Sequence, residues 1–330
     1  MKIDVLFLGG TSIDLIQDRQ KGGGRLVFSA SIGGSITNSA IICAKLGLKA
    51  GLLSKVGNDP LGDFAIDSLD SCKINTKGII RDSSIRTSIT IAKIDKSGIA
   101  KYTFYKSSPK NSVVPIKNVP KYLLNTCRVF HTGSSYSYQK ETFEETLKFI
   151  KFLKKRGIFI SYDPNLRPYT INEENKVKNR VFRLLKLADL AKLSEIDLEY
   201  LTGHKSPEKG LSELKKSVTC PIVLTLGAKG SIYCHVHHLV GGRRSLTRWT
   251  WVKIPAFKVK VADTIGAGDA FTAGLIYRLT EQGRIQFFTN IQSNMEFASA
   301  VSAIICTKKG SNEALKNTKQ VKLFISNRTS

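Results

Sequence analysis

Residues 262–274 read ADTIGAGDAFTAG, with two carboxylates, Asp263 and Asp269, on either side of a Gly266-Ala267-Gly268 turn. The strand-like KVKVAD precedes the turn, and the apolar AFTAGLIYRL, which reads as a helix, follows it. Glycine at 266 and 268 permits a tight turn and lets backbone N–H groups come close to a ligand. A helix beginning near Ala267 adds its partial positive end. Donors and dipole together suit an anion, in particular one that develops in a transition state. Asp269 falls in the first helical turn, where a carboxylate also does no more than satisfy the dipole. This stretch alone leaves both readings of Asp269 open.

Other polar loops keep it company. GGTSID (9–14) places Asp14 just after the first strand, and IGGSITNSA (32–40) sets Asn38 at a helix start, behind the Gly33-Gly34 pair. YDPNLRP (162–168) and LTLGAKGS (224–231) again put polar groups or a glycine turn after a strand. Each loop by itself is an ordinary chain reversal. Gathered at one sheet edge they make a site, because ligands of open α/β sheets sit outside the carboxyl ends of the strands. HVHH (235–238) reads as exposed strand and turn, since no carboxylate or cysteine motif completes a metal site.

The elements that must position these loops alternate along the chain. IDVLFLG (3–9), GLLSKVG (51–57), CRVFHTG (127–133), GIFISYD (157–163), ADLAKLS (188–194) and PIVLTLG (221–227) read as strands. Between them NSAIICAKLG (38–47) and PLGDFAIDSL (60–69) read as helices, the latter opened by proline. KETFEETLKFIKFLKKRG (140–157) is a long amphipathic helix with Phe143, Leu147, Ile150 and Leu153 on one face, acids early and bases late. The alternation predicts a mainly parallel sheet covered by helices on both faces. RTSITIAKIDKSGIAKYTFYK (86–106) instead alternates with period two around Asp-Lys-Ser-Gly, a hairpin, and RLVFSAS (25–31) is a short strand. Both belong to a small separate sheet, a lid drawn from about 15–32 and 85–106 on an otherwise single unit spanning 1–330.

GGSITNSA and DTIGAGDAFTAG, together with VGNDPLGDF, DPNLR, KLSEIDLEYLTG, LTLGAKGS and CTKKGS in that order, resemble the ribokinase-like (PfkB) carbohydrate kinases over nearly the whole chain. The resemblance implies a three-layer α/β/α core with a mostly parallel sheet and a β lid. It implies transfer of the γ-phosphoryl of ATP to a hydroxyl, usually a hydroxymethyl group. Asp269 would then accept the hydroxyl proton, and the N–H groups of Gly266, Ala267 and Gly268 would form the anion hole. Asp263 and the carbonyl of Ile265 would hold a monovalent cation, expected to be K⁺. Asp14, Gly33, Gly34 and Asn38 match the sugar binders, and Arg167 lies near substrate or phosphates. Lys192, Ser194, Thr225, Gly227, Gly230 and Gly268 match the nucleotide site. Ser299 stands where relatives carry an asparagine near the adenine.

Departures from the family pattern bear on substrate. Ser194-Glu195-Ile196-Asp197 replaces Asn-x-x-Glu, so Asp197 would organise Mg²⁺ through water with a shorter acid. YTFYKSSPKNSVV carries Lys106 where the branch has arginine, and Lys110-Asn111-Ser112 replaces the small-acid ending. CTKKGS and SYDPNLRP most resemble fructokinases, which makes fructose the expected sugar. The alternative is 2-keto-3-deoxygluconate or the substrate of another PfkB sugar or nucleoside kinase. A sugar acid would call on Arg86, Lys106 and Arg167.

Composition bounds the rest. The 330 residues are 42% hydrophobic, enough for a sizeable core, and no apolar run is long enough for a membrane span. MKIDVLFLGGTSID has too short an apolar run for a signal peptide and reads as a first buried strand. Six scattered cysteines without a C-x-x-C pair read as reduced thiols of a cytoplasmic protein. Lys plus Arg number 51 against 26 Asp plus Glu, a net +25. The bases are spread along the chain and accompany no nucleic-acid signature, so they read as a solvated surface. A basic nucleic-acid binder on a kinase scaffold is the rival from another class. ATP and a small sugar are the expected partners, with neither nucleic acid nor membrane, and a homodimer through the lid is compatible with the family.

Overall fold

In the computed structural model, which describes residues 2–17, 27–94, 100–105, 112–239 and 246–329, the first apolar run forms β1 (Val5–Leu8), buried throughout. Successive strand residues face opposite sides. Val5 and Phe7 accordingly enter one hydrophobic core and Leu6 and Leu8 another. A strand buried on both faces reads as a continuous apolar run, as this one does.

The remaining strands are β2 (Ser12–Gln17), β3 (Phe28–Gly33), β4 (Ala50–Gly57), β5 (Asn75–Asp82), β6 (Ser88–Ile94) and β7 (Ala100–Tyr105). They are followed by β8 (Val129–Gly133), β9 (Phe159–Asp163), β10 (Leu190–Ser194), β11 (Ile222–Thr225), β12 (Ser231–Leu239) and β13 (Leu246–Ile254). Nine of them form one sheet in the order β13-β12-β11-β10-β9-β8-β1-β4-β5. From β5 to β11 neighbours are parallel, and β12 and β13 close the far edge antiparallel. The expected amphipathic helix spans Lys140–Lys154, with Phe143, Leu147, Ile150 and Leu153 buried. The helices Ser35–Lys45, Ala267–Gln282 and Ile291–Ile305 contribute to the opposite core.

A second sheet runs β3-β2-β6-β7. The expected hairpin is its β6–β7 pair, antiparallel with Ile94 opposite Ala100; its tip, 95–99, and Lys106 lie outside the described residues. The short strand read over 25–31 is β3, shifted to 28–33, and 18–26 also lie outside. The sequence reading placed Asp14 in a loop after the first strand. It stands instead within β2, opposite Ser31 of β3 and Thr90 of β6. Ile13 beside it points into a large-sheet core, so β2 anchors the small sheet on one face and presents polar groups on the other. HVHH lies inside β12 and not at a turn, and the side chains of His237 and His238 are outside the described residues.

Candidate active site

Beyond the C-terminal ends of the parallel β1, β8 and β9 opens a cleft of about 210 Å³. Asp14 and Thr90 reach it from the small sheet, Ser35 and Asn38 from the helix Ser35–Lys45, and Ile265, Gly266 and Asp269 from the glycine turn. Asn165 and Arg167 close it from the loop after β9. Four of the stretches that the sequence placed at one sheet edge thus converge on one cavity, and LTLGAKGS is the one that does not line it.

Asp269 is 7% exposed. Ser35 Oγ donates to its Oδ1 at 2.6 Å and Asn38 Nδ2 to its Oδ2 at 2.9 Å. Ser311 Oγ holds Asn38 by donating to its Oδ1 at 2.9 Å. Each carboxylate oxygen has two acceptor sites, so each keeps one for a ligand. Burial pushes the carboxyl up, opposed by Ser35, Asn38 and the Lys192 charge and abetted by Asp163. The helix Ala267–Gln282 starts behind Gly266, at φ 76, and no side chain caps it. A Cβ at 266 would lie 2.7 Å from the Ser311 carbonyl oxygen, so only glycine fits. The Ala267 N–H closes the turn onto Thr264 O at 3.2 Å. The uncapped first-turn N–H groups, Gly268 among them, are therefore the donors best placed for an anion.

Asp14 accepts from Ser12 Oγ at 3.1 Å, and burial lifts its carboxyl to about 6, with the Asp269 charge adding a little. Gly33 is explained by it: a Cβ there would lie 2.1 Å from Asp14 Cγ. Gly34, at φ 104, approaches the Gly10 carbonyl so closely that a Cβ would lie 2.4 Å from its oxygen. Lys192 does not line the cleft. Its ammonium is 2.7 Å from Asp163 Oδ2, both side chains buried, beneath the turn; a Cβ on Gly268 would lie 3.1 Å from its Nζ. Burial opposes the lysine charge, but Asp163, Asp197 and Asp269 together hold its pKa up. Asp163 also accepts from Thr272 Oγ1 and the Asn165 N–H, which fixes the loop after β9.

The other expected residues lie outside this cavity. Ser194 and Thr225 are register partners at the ends of β10 and β11, with Gly227 and Gly230 in the turn that follows. Ser299 is buried on the helix Ile291–Ile305. Asp263 accepts from the Ile265 N–H at 2.9 Å and the Gly310 N–H at 3.2 Å, tying the turn to the segment after Cys306. Asp197 is 1% exposed and engaged through both oxygens: Oδ1 takes the Leu166 N–H, and Oδ2 takes the N–H and hydroxyl of Ser194. It forms a capping box with Ser194, and the sequence signal, Ser followed by Asp three residues on, was that of a helix start. Arg86 is exposed beside Asp59 and does not line the cleft. Lys106, Lys110 and Asn111 lie outside the described residues.

Sequence reasoning passed over Ser35 and Asn165. The spacing of Ser35, Asn38 and Ser39 carried the signal: residues three and four apart share a helix face. That face meets Asp269, whose backbone carbonyl accepts from Ser39 Oγ at 3.1 Å.

Residues 2–318 match the family described as pfkB family carbohydrate kinase. The chain is 28% identical over 296 residues to Fructokinase-1 of Zea mays, covering 89% of this chain and 88% of that one. It is 28% identical over 295 residues to the fructokinase of Vibrio alginolyticus, covering 89% and 91%. A fructokinase double mutant from Vibrio cholerae O395, solved in its fructose-, ADP- and potassium-ion-bound form, superposes with a TM-score of 0.82 at 27% identity over 98% of each chain. The expected ribokinase-like fold, a mostly parallel sheet with a smaller sheet beside it, is the one observed. With the family matched over 2–318, nearly the whole chain, and the fold shared with the Vibrio cholerae fructokinase, the chain belongs to the pfkB family of carbohydrate kinases.

Proposed function

We propose that this kinase transfers the γ-phosphoryl group of ATP to a hydroxymethyl group of a small neutral sugar, with fructose as the substrate. The observation that carries the reading is Asp269: a buried carboxylate with one open acceptor position on each oxygen, at the mouth of an uncapped helix. A sugar hydroxyl bonded to Asp269 gives up its proton as its oxygen attacks phosphorus. The bond to the departing ADP oxygen breaks as the new one forms, and the N–H groups behind Gly266 face the charge on the moving phosphoryl. The proton can leave late, so the base needs no strongly displaced pKa. Asp14, Asn38 and Thr90 bind the other hydroxyls, and the small sheet acts as a lid that excludes water.

A neutral sugar is favoured over a sugar acid by the cleft itself. Among its described lining residues Arg167 is the one cation, and its Nη1 is already held by Asn165 Oδ1 and the Leu166 carbonyl. Fructose is also the sugar named for the Vibrio cholerae relative, which is 27% identical.

The nucleotide would lie over Ser194, Thr225, Gly227 and Gly230, with Ser299 toward the base. Asp163, Asp197 and Asp269 are buried and each favours the charge of Lys192. Since no three acidic, histidine or cysteine side chains among the described residues stand together as a metal cage, Mg²⁺ would be held chiefly by the phosphates of ATP. Mg²⁺ supplies charge compensation on the phosphates when bound. Asp197, with both oxygens engaged by protein donors, contributes its field and holds Ser194 and Leu166 in place. Asp263, which accepts from the N–H groups of Ile265 and Gly310, and the carbonyl of Ile265 would hold K⁺ next to the turn that carries the anion donors.

The test is ATP-dependent phosphorylation across a panel of fructose, other hexoses, 2-keto-3-deoxygluconate and nucleosides. Fructose is expected to give the highest kcat/KM. A tenfold preference for the sugar acid overturns the substrate, and no phosphorylation of any member overturns the reading.

A further inference from the structure

The helix Ser35–Lys45 begins without a side-chain cap, and the hydroxyl of its first residue is turned to another use. Ser35 Oγ donates to Asp269 Oδ1 at 2.6 Å and accepts from Asn165 Nδ2 at 2.7 Å. Asn165 Oδ1 in turn accepts from the Arg167 guanidinium at 2.5 Å. All four residues line the cleft. Chemistry fixes the direction of this chain at both ends. A guanidinium only donates, so it faces the amide oxygen of Asn165 and leaves the NH₂ for Ser35. The serine oxygen is thereby used as an acceptor, and its one proton goes to Asp269, which as a carboxylate only accepts. Asn165 holds φ 42, a left-handed conformation that Asn tolerates better than most residues. Strained backbone that persists at a cleft points to a role there.

We propose that Ser35 is a positioning residue for phosphoryl transfer: oriented by Arg167 through Asn165, it keeps Asp269 an unprotonated acceptor aimed at the sugar hydroxyl. The proposal rests on the kinase reading above. The charged groups around Asp269 are Lys192 from β10, Asp163 from β9 and Asp14 from β2. Only Lys192 among them favours the carboxylate, and its own nearest partner is Asp163. The neutral donors Ser35 and Asn38 therefore do much of the work against burial. A donor removed from so enclosed a group is poorly replaced by water.

The experiment is the pH dependence of kcat at saturating sugar, where the titration of Asp14, which acts through sugar binding, drops out. Ser35→Ala should move the acid limb to higher pH by about one unit, the size expected for losing a hydrogen bond to a charged group. The rate should recover toward wild type on the alkaline side, and KM for ATP should stay put. Ser35→Thr, which keeps the hydroxyl, should hold the limb near its original place. Asn165→Asp keeps the side-chain shape and tolerates the left-handed backbone, but sets a competing carboxylate against Ser35 and draws its proton away. Its limb should move in the same direction. A uniform loss at every pH, with the limb unmoved in both Ser35→Ala and Asn165→Asp, overturns the proposal. Failure of the wild-type protein to phosphorylate any sugar with ATP would instead sink the kinase reading itself, so the two failures are distinguishable.

Discussion

Asp269 and Asp14 are two carboxylates in one cleft with different surroundings, and they should fail differently. Replacing Asp269 by Asn keeps the shape but removes the proton acceptor. It should lower kcat by about 10²–10⁴, the usual range for a lost general base. The Kd for ATP, measured by calorimetry, should change little, because the residues proposed to hold the nucleotide lie outside the cleft. Asp14 has its carboxyl lifted by burial to about 6. The folded protein thus holds this proton more tightly than the unfolded chain does, so the group disfavours folding as pH rises from 3.8 to about 6. For binding, the ionised form is the better acceptor of sugar hydroxyls. KM for the sugar should rise as pH falls through about 6, and Asp14→Asn should flatten that dependence. Steady-state kinetics between pH 5 and 8 would check both. At this scale the sequence showed where a residue stands when its type and its place in a turn decide it, as for Asp269 and Asn38, which meet in the cleft. It read less well where the role depends on a distant partner. Asp197 was expected to organise Mg²⁺ through water; what the sequence did not show is that its oxygens accept from Ser194 and from Leu166, 31 residues away.

Helices and strands whose own residues carry the period were legible: the helix Lys140–Lys154, the β6–β7 hairpin and the apolar β1. β2 was not, because SIDLIQ is only six residues and follows β1 after a three-residue gap. Its strand character comes from pairing with β3 and β6, which are distant in sequence. β5 was missed for a like reason, NTKGIIRD being a partly exposed edge strand. The junction between β3 and the helix Ser35–Lys45 is a test of how tightly these elements are set. Gly34 has φ 104 and a Cβ there would lie 2.4 Å from the Gly10 carbonyl. Gly34→Ala should destabilise the protein by roughly 2–4 kcal/mol, combining strain and overpacking. Urea unfolding should show the midpoint falling while the slope holds, and the variant should lose sugar affinity as Ser35 and Asn38 shift.

A net charge of +25 is a property of the whole molecule and acts at long range. ATP is an anion, and a positive field raises its encounter rate in a way that salt screens. kcat/KM for ATP should fall severalfold between low and physiological ionic strength while kcat holds, and a flat response would show the charge to be remote from the nucleotide's approach. Filter binding to DNA and RNA across salt would separate this from a nucleic-acid partner, whose affinity would drop far more steeply. The two-sheet arrangement has a further consequence. Asp14 belongs to the small sheet, whereas Asp269 heads a helix packed on the large one. A sugar that grips both is a cross-brace between two hydrogen-bonded bodies that otherwise meet through residues such as Ile13 and Ile32. Local opening of the small sheet then has to break the brace first. Saturating sugar should therefore slow amide hydrogen exchange in β2 and β6, and leave β12 and β13, at the far edge of the large sheet, exchanging as before.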